Sequence, residues 1–227
     1  MGGQACVFYG AAEFSRDCDV VLLADESNFD RLRGALAELE ARCIAVPPFE
    51  PRYLARGHAV HFRCEHEDAA RMRLDVMTRM RGVDAFELLW GRRTTLVDQA
   101  GLTFEVLGIA DLVKAKKTQR DKDWPMIRRL IESHYESHRG AATQDQIAFW
   151  LLEGRTPEML TQIAADHREI AVTLSQQRPL LAGALDASRT ALETGLESEA
   201  CAERQADRAY WQQLKQELEE LRRQARP

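Results

Sequence analysis

Strand-forming runs in this chain stop at about Gly140, and everything after it reads as helix. That asymmetry limits the fold more than any other feature. Short apolar runs bounded by turns make strands, whereas apolar residues spaced three and four apart make helices. Before Gly140 the two patterns interleave, the texture of an α/β or α+β domain. Residues 18–24 form a compact apolar run suited to a buried strand. Residues 28–43 follow as a helix, with Phe29, Leu32, Leu36 and Leu39 at helical spacing and Asp25 or Ser27 as its cap. Residues 58–64 and 73–78 are two further predicted strands. Residues 94–98 and 102–107, separated by Gln99-Ala100-Gly101, are strands or a hairpin. A helix is expected over 109–117, and Pro125 after Asp123 opens another that runs to about His134.

Beyond Gly140, helices are predicted over 146–152, 157–174, 179–196 and 202–223. The division expected is therefore a domain over residues 1–139 and an all-helical C-terminal region over 140–227. Trp211, Leu214, Leu218 and Leu221 form an apolar seam on the last helix. The seam packs on the protein's own helices or receives a protein partner.

Composition narrows the class further. The 227 residues are 45% hydrophobic and 30% charged, enough to bury a core. The formal net charge is -5, so no general basic field draws nucleic acid, although a local groove for RNA is compatible with that sum. No apolar run approaches the ~20 residues that span a bilayer. The first residues lack the charged and apolar regions of a secretory signal. Cys6, Cys18, Cys43, Cys64 and Cys201 are scattered and contain no Cys-x-x-Cys pair, which suits reduced thiols in the cytoplasm. A cytoplasmic protein without a membrane partner is expected.

The stretch that carries chemistry begins with Gly2-Gly3 and continues through Ser15-Arg16-Asp17-Cys18-Asp19-Val20-Val21. A glycine pair opening a helix lets backbone amides approach a phosphate. Asp17 and Asp19 stand two apart at the start of a strand, so alternation sends both carboxylates to one face. Paired carboxylates suit hard divalent cations, which take oxygen ligands. Asp75, in Arg73-Leu74-Asp75-Val76-Met77, is the candidate third carboxylate. A two-metal site built this way clamps the attacking and leaving oxygens of a phosphoryl-type transfer.

In this order and spacing, the glycine pair, the helix ending Tyr9-Gly10 and the Asp17-Cys18-Asp19-Val20 block resemble the signature of the DNA-polymerase-β-like nucleotidyltransferase superfamily. The front of the chain, to about Tyr135, is similar to small bacterial nucleotidyltransferases of abortive-infection and toxin–antitoxin systems. The run Leu112-Val113-Lys114-Ala115-Lys116-Lys117, continuing to Arg120-Asp121-Lys122-Asp123, resembles their later block. The resemblance implies an α+β nucleotidyltransferase fold, a mixed sheet flanked by helices. It implies Asp17, Asp19 and Asp75 as Mg2+ ligands and catalytic carboxylates, and Gly2 and Gly3 at a nucleoside triphosphate. Ser15 matches the hydroxyl position two before the first Asp, and Arg16 touches phosphate or points to solvent. A lysine of the later helix touches phosphates, with Lys116 preferred and Lys114 and Lys117 as alternatives. In such relatives a strand runs into the glycine pair, so translation is expected to begin upstream of Met1.

The activity so implied is transfer of a nucleotide from a triphosphate to RNA, protein or a small molecule. Two other classes remain open: a catalytically inactive relative that binds a nucleotide or a protein, and an interaction protein working through its helical tail. His58, His61, Cys64 and His66 cluster locally, but alternation puts His61 on the opposite face from the other three, and the second ligand pair of a structural zinc site is missing. His134 and His138 share a helix face without the His-Glu-x-x-His pattern.

Overall fold

A computed structural model describes residues 1–224. It is an α+β protein with a small mixed sheet and a helical C-terminal region. The described residues divide into two compact units, one of 1–8, 12–115 and 208–224, the other of 9–11 and 116–207.

In the first unit, helix α1 (Gly2–Phe8) precedes strand β1 (Asp17–Val21). Helix α2 (Glu26–Glu38) starts where the Asp25 side chain accepts from Asn28 N at 2.7 Å, a carboxylate satisfying a free amide of the first turn. The short strand β2 (Arg42–Cys43), helix α3 (Pro51–Arg56), strand β3 (Val60–Arg63) and strand β4 (Arg73–Met77) complete the main sheet. Its strand order is β1-β4-β3-β2. β1 runs parallel to β4, and the other pairs are antiparallel. Helix α4 (Phe86–Gly91) leads to strands β5 (Thr94–Val97) and β6 (Thr103–Val106), which pair antiparallel as a separate two-stranded sheet. Helix α5 (Ile109–Lys116) follows.

Alternation splits the main sheet into two unlike faces. Cys18, Val20, Phe62, Val60, Leu74 and Val76 occupy one face and pack with Phe29, Leu36 and Leu54 into a single buried cluster. Each large side chain in it contributes about 1.5–3 kcal/mol by leaving water. The opposite face carries Asp17, Asp19, Arg73, Asp75 and His61, so the core lies on one side of the sheet and the charge on the other.

The second unit is helical. α6 (Asp123–His138) buries Ile127, Leu130 and Ile131. α7 (Gln144–Glu153) opens with a reciprocal capping box between Thr143 and Gln146. α8 (Pro157–Asp166), α9 (Arg168–Ser175) and α10 (Leu181–Leu185) follow, and α11 (Arg189–Gln224) runs for 36 residues.

Four helical expectations are corrected. The predicted 28–43 helix ends at Glu38, beyond which Glu40 takes φ 49 and Arg42–Cys43 form β2. The predicted 157–174 helix breaks at His167, whose backbone leaves the helical region at φ -131 and ψ 53. The predicted 179–196 helix is interrupted after Leu185, where Ala187 takes φ 49. Residues 189–224 form one helix instead of two pieces, because no glycine or proline lies between residues 196 and 224. Among the described residues no helix is long and apolar enough to cross a membrane.

Residues 208–224 of α11 belong to the first unit, where they pack beside α3. Gly57, at φ 101, ends α3, and a Cβ built there would stand 3.1 Å from the Tyr210 hydroxyl and 3.9 Å from Leu214. Glu217 pairs with Arg56 and lies 2.7 Å from buried His58.

Candidate functional site

The polar face of the main sheet brings three of the expected carboxylates onto neighbouring strands. In the parallel β1–β4 pair, Asp17 stands opposite Arg73, and Asp19 stands opposite Asp75. Paired residues project to the same side of a sheet, so Asp17, Asp19 and Asp75 share one face. On the far side of β4, His61 is the register partner of Asp75.

The glycine pair lies against this face. Gly3 N donates to Asp19 Oδ2 at 3.3 Å. A Cβ at Gly2 would collide with the Asp19 carboxylate, and one at Gly3 with the Ser15 hydroxyl. Gly2 also holds φ 66, a conformation that costs other residues about 1–2 kcal/mol. Only glycine fits at both positions. Ser15 Oγ donates to Asp17 O at 3.0 Å, and Gln4 Nε2 donates to Ser15 O at 3.0 Å, which fixes the approach to β1. Arg16 is exposed, its guanidinium 6.0 Å from the Phe14 ring centre.

Asp75 is the most constrained of the three carboxylates. Arg73 Nε donates to its Oδ1 at 2.7 Å, and His61 Nδ1 lies 2.8 Å from the same oxygen. Arg73 Nη2 also lies 3.1 Å from His61 Nδ1. Burial pushes the Asp75 carboxyl up, but the contacts with His61 and Arg73 outweigh it and hold its pKa below the ordinary carboxylate value. The bond to Asp75 raises the Arg73 pKa further, with burial opposing and the charges of Asp75, Asp17 and Asp19 adding to it.

Hard oxygen donors on one face suit magnesium in kind. Their arrangement does not: Asp75 Oδ1 is taken by a guanidinium and an imidazole, and Asp19 Oδ2 by a backbone amide. Among the described residues no three His, Cys, Asp or Glu side chains are gathered to hold a metal ion. The His58, His61, Cys64 and His66 run is covered by the same finding. Cys64 is buried in the core, and His58 faces Glu217.

Lys116 ends α5 and belongs to the second unit, where its ammonium lies 3.5 Å from Asp123 Oδ1. Arg120 Nε donates to Asp123 Oδ2 at 2.7 Å, and Thr118 Oγ1 donates to the same oxygen at 2.5 Å. Asp123 is buried, so this block of the chain forms a closed charge cluster. Lys117 is paired with Glu153 at 2.8 Å.

His61 and Arg73 are the two residues of this face that sequence reasoning missed. Arg73 was visible in principle as the residue two before Asp75, on the same side of the strand. Nothing local links His61 to Asp75, because their contact is set by the β3–β4 register. No protein-family model matches the chain, and no curated protein matches it.

Proposed function

We propose that the chain is a nucleotidyltransferase-fold protein that binds a nucleoside triphosphate on the acidic sheet face and transfers its nucleotide to a hydroxyl acceptor. The observation that carries this reading is the meeting of Asp17, Asp19 and Asp75 on adjacent strands, with the Gly2-Gly3 turn against Asp19. In the reaction the acceptor hydroxyl oxygen bonds to the α-phosphorus and gives its proton to a carboxylate of the Asp17–Asp19 pair, the α–β bridging P–O bond breaks, and pyrophosphate departs with its electron pair. Gly2, Gly3 and Ser15 line the phosphate side, and Asp17 and Asp19 set the charge of the pocket floor. Magnesium bound to the triphosphate would neutralise phosphate charge.

Asp75, held by Arg73 and His61, favours a second reading, a nucleotide-binding or protein-interaction module without transfer. Transfer is tested with triphosphates labelled at the α-phosphate, followed into the RNA, protein and small-molecule fractions of a cell extract. Label that requires both Asp17 and Asp19 supports the transferase. Nucleotide bound with no label transferred supports the second reading.

A further inference from the structure

We infer that Arg73 is the built-in counter-ion of the acidic sheet face, keeping free divalent cations off Asp17, Asp19 and Asp75 until a triphosphate draws its guanidinium away. The inference deepens the nucleotide-site reading above and rests on it. Three observations carry it. Arg73 stands opposite Asp17 in the β1–β4 register and two residues from Asp75, so carboxylates flank it on one face. It is bonded to Asp75 Oδ1 at 2.7 Å, so its charge sits against the carboxylate that would be the third metal ligand. His61 closes the other side of that oxygen at 2.8 Å.

A guanidinium keeps its charge at every working pH, so a cation approaching this face meets a fixed positive group. Entry requires either repulsion at close range or loss of the Arg73–Asp75 pair. A triphosphate changes that balance, because its oxygens accept the planar donors of arginine in pairs. The Arg73 side chain is 38% exposed, within reach of an arriving ligand.

The test uses the full chain and free Mn2+ without nucleotide, read from the paramagnetic resonance signal of unbound Mn2+. Wild type is compared with Arg73→Leu, Arg73→Gln and Arg73→Lys, each checked for native circular dichroism. Both neutral variants are expected to bind Mn2+ at least about tenfold more tightly than wild type, near the lower end of usual coupling between sites. Arg73→Lys keeps the charge and should match wild type. Adding Asp17→Asn and Asp19→Asn to either neutral variant should abolish the gain. Wild type binding within about threefold of both neutral variants overturns the inference, as does a gain that survives loss of Asp17 and Asp19. A lysine variant as tight as the leucine one also overturns it. No arm contains nucleotide, so failure of triphosphate binding is read separately from failure here.

Discussion

Replacing Glu199 by Gln should destabilise the second unit more than any surface ion pair explains. Glu199 lies on α11 and accepts from Arg178 Nε at 2.9 Å, Arg178 Nη2 at 2.8 Å and Arg155 Nη1 at 2.9 Å. The two arginine side chains are only 6% and 9% exposed. Arg178 also donates to Leu151 O at 2.7 Å and Gly154 O at 3.0 Å, closing the C-terminal end of α7. Burial lowers the Arg155 pKa, with the Arg178 charge adding to it and Glu199 opposing. Together with Glu153, 3.6 Å from Arg155, the Glu199 carboxylate offsets two buried guanidiniums.

Removing one partner of a buried pair costs about 3–5 kcal/mol. Glu199 is itself 30% exposed, and solvent screening brings the expected loss to about 2–3 kcal/mol. With a urea slope of about 2 kcal/mol/M, the midpoint should fall by about 1–1.5 M. The assay is urea unfolding followed by helical circular dichroism. Arg178→Met and the double variant complete a cycle, with an expected coupling of at least about 1 kcal/mol between the two positions. A Glu199→Gln midpoint within about 0.3 M of wild type would refute the reasoning and mark the cluster as solvated.

Two further outcomes follow from particular contacts. His134 Nδ1 accepts from Trp150 Nε1 at 2.9 Å, and burial, with the His138 charge, lowers its pKa to about 4. A histidine depressed in the folded state takes up more protons when unfolded, so stability falls as pH drops from about 6.5 towards 4. Between pH 7.5 and 5.5 the loss should be about 1 kcal/mol in urea titrations, and His134→Gln should flatten it. An unchanged pH slope in that variant contradicts the assignment. Gly2→Ala should keep a native far-ultraviolet spectrum, lower the urea midpoint by about 0.5–1 M through its left-handed backbone, and weaken triphosphate binding at least about tenfold, because its Cβ displaces the Asp19 carboxylate. Wild-type affinity in that variant would place the nucleotide elsewhere.

Much of the first unit is readable from period-two alternation. Val60, Phe62, Leu74 and Val76 alternate with His61, Arg63, Arg73 and Asp75, and the structure turns that alternation into a core face and a charged face. The α2 cap was equally local, an Asp three residues before the amide that it accepts from. The Asp75 environment was not local. Its partners come from β3 and from its own strand, and only the strand register brings them together. The breaks at His167 and Ala187 carry no glycine or proline, so composition gave no warning of them. In α11 the apolar spacing lapses over 197–201, but Glu197, Glu199 and Ala200 are good helix formers and no glycine or proline breaks the run. Lys116 was selected by spacing, and spacing does not reveal that Asp123 holds its ammonium.

The central claim is that the Asp17–Asp19 face takes a triphosphate. The most direct measurement is calorimetric titration of the full chain with each of the four nucleoside triphosphates, with and without magnesium, alongside an Asp17→Asn, Asp19→Asn variant of unchanged circular dichroism. Binding of at least one triphosphate that needs magnesium and disappears in the variant is expected. Absence of binding by folded wild type, or binding that the variant retains, would contradict it.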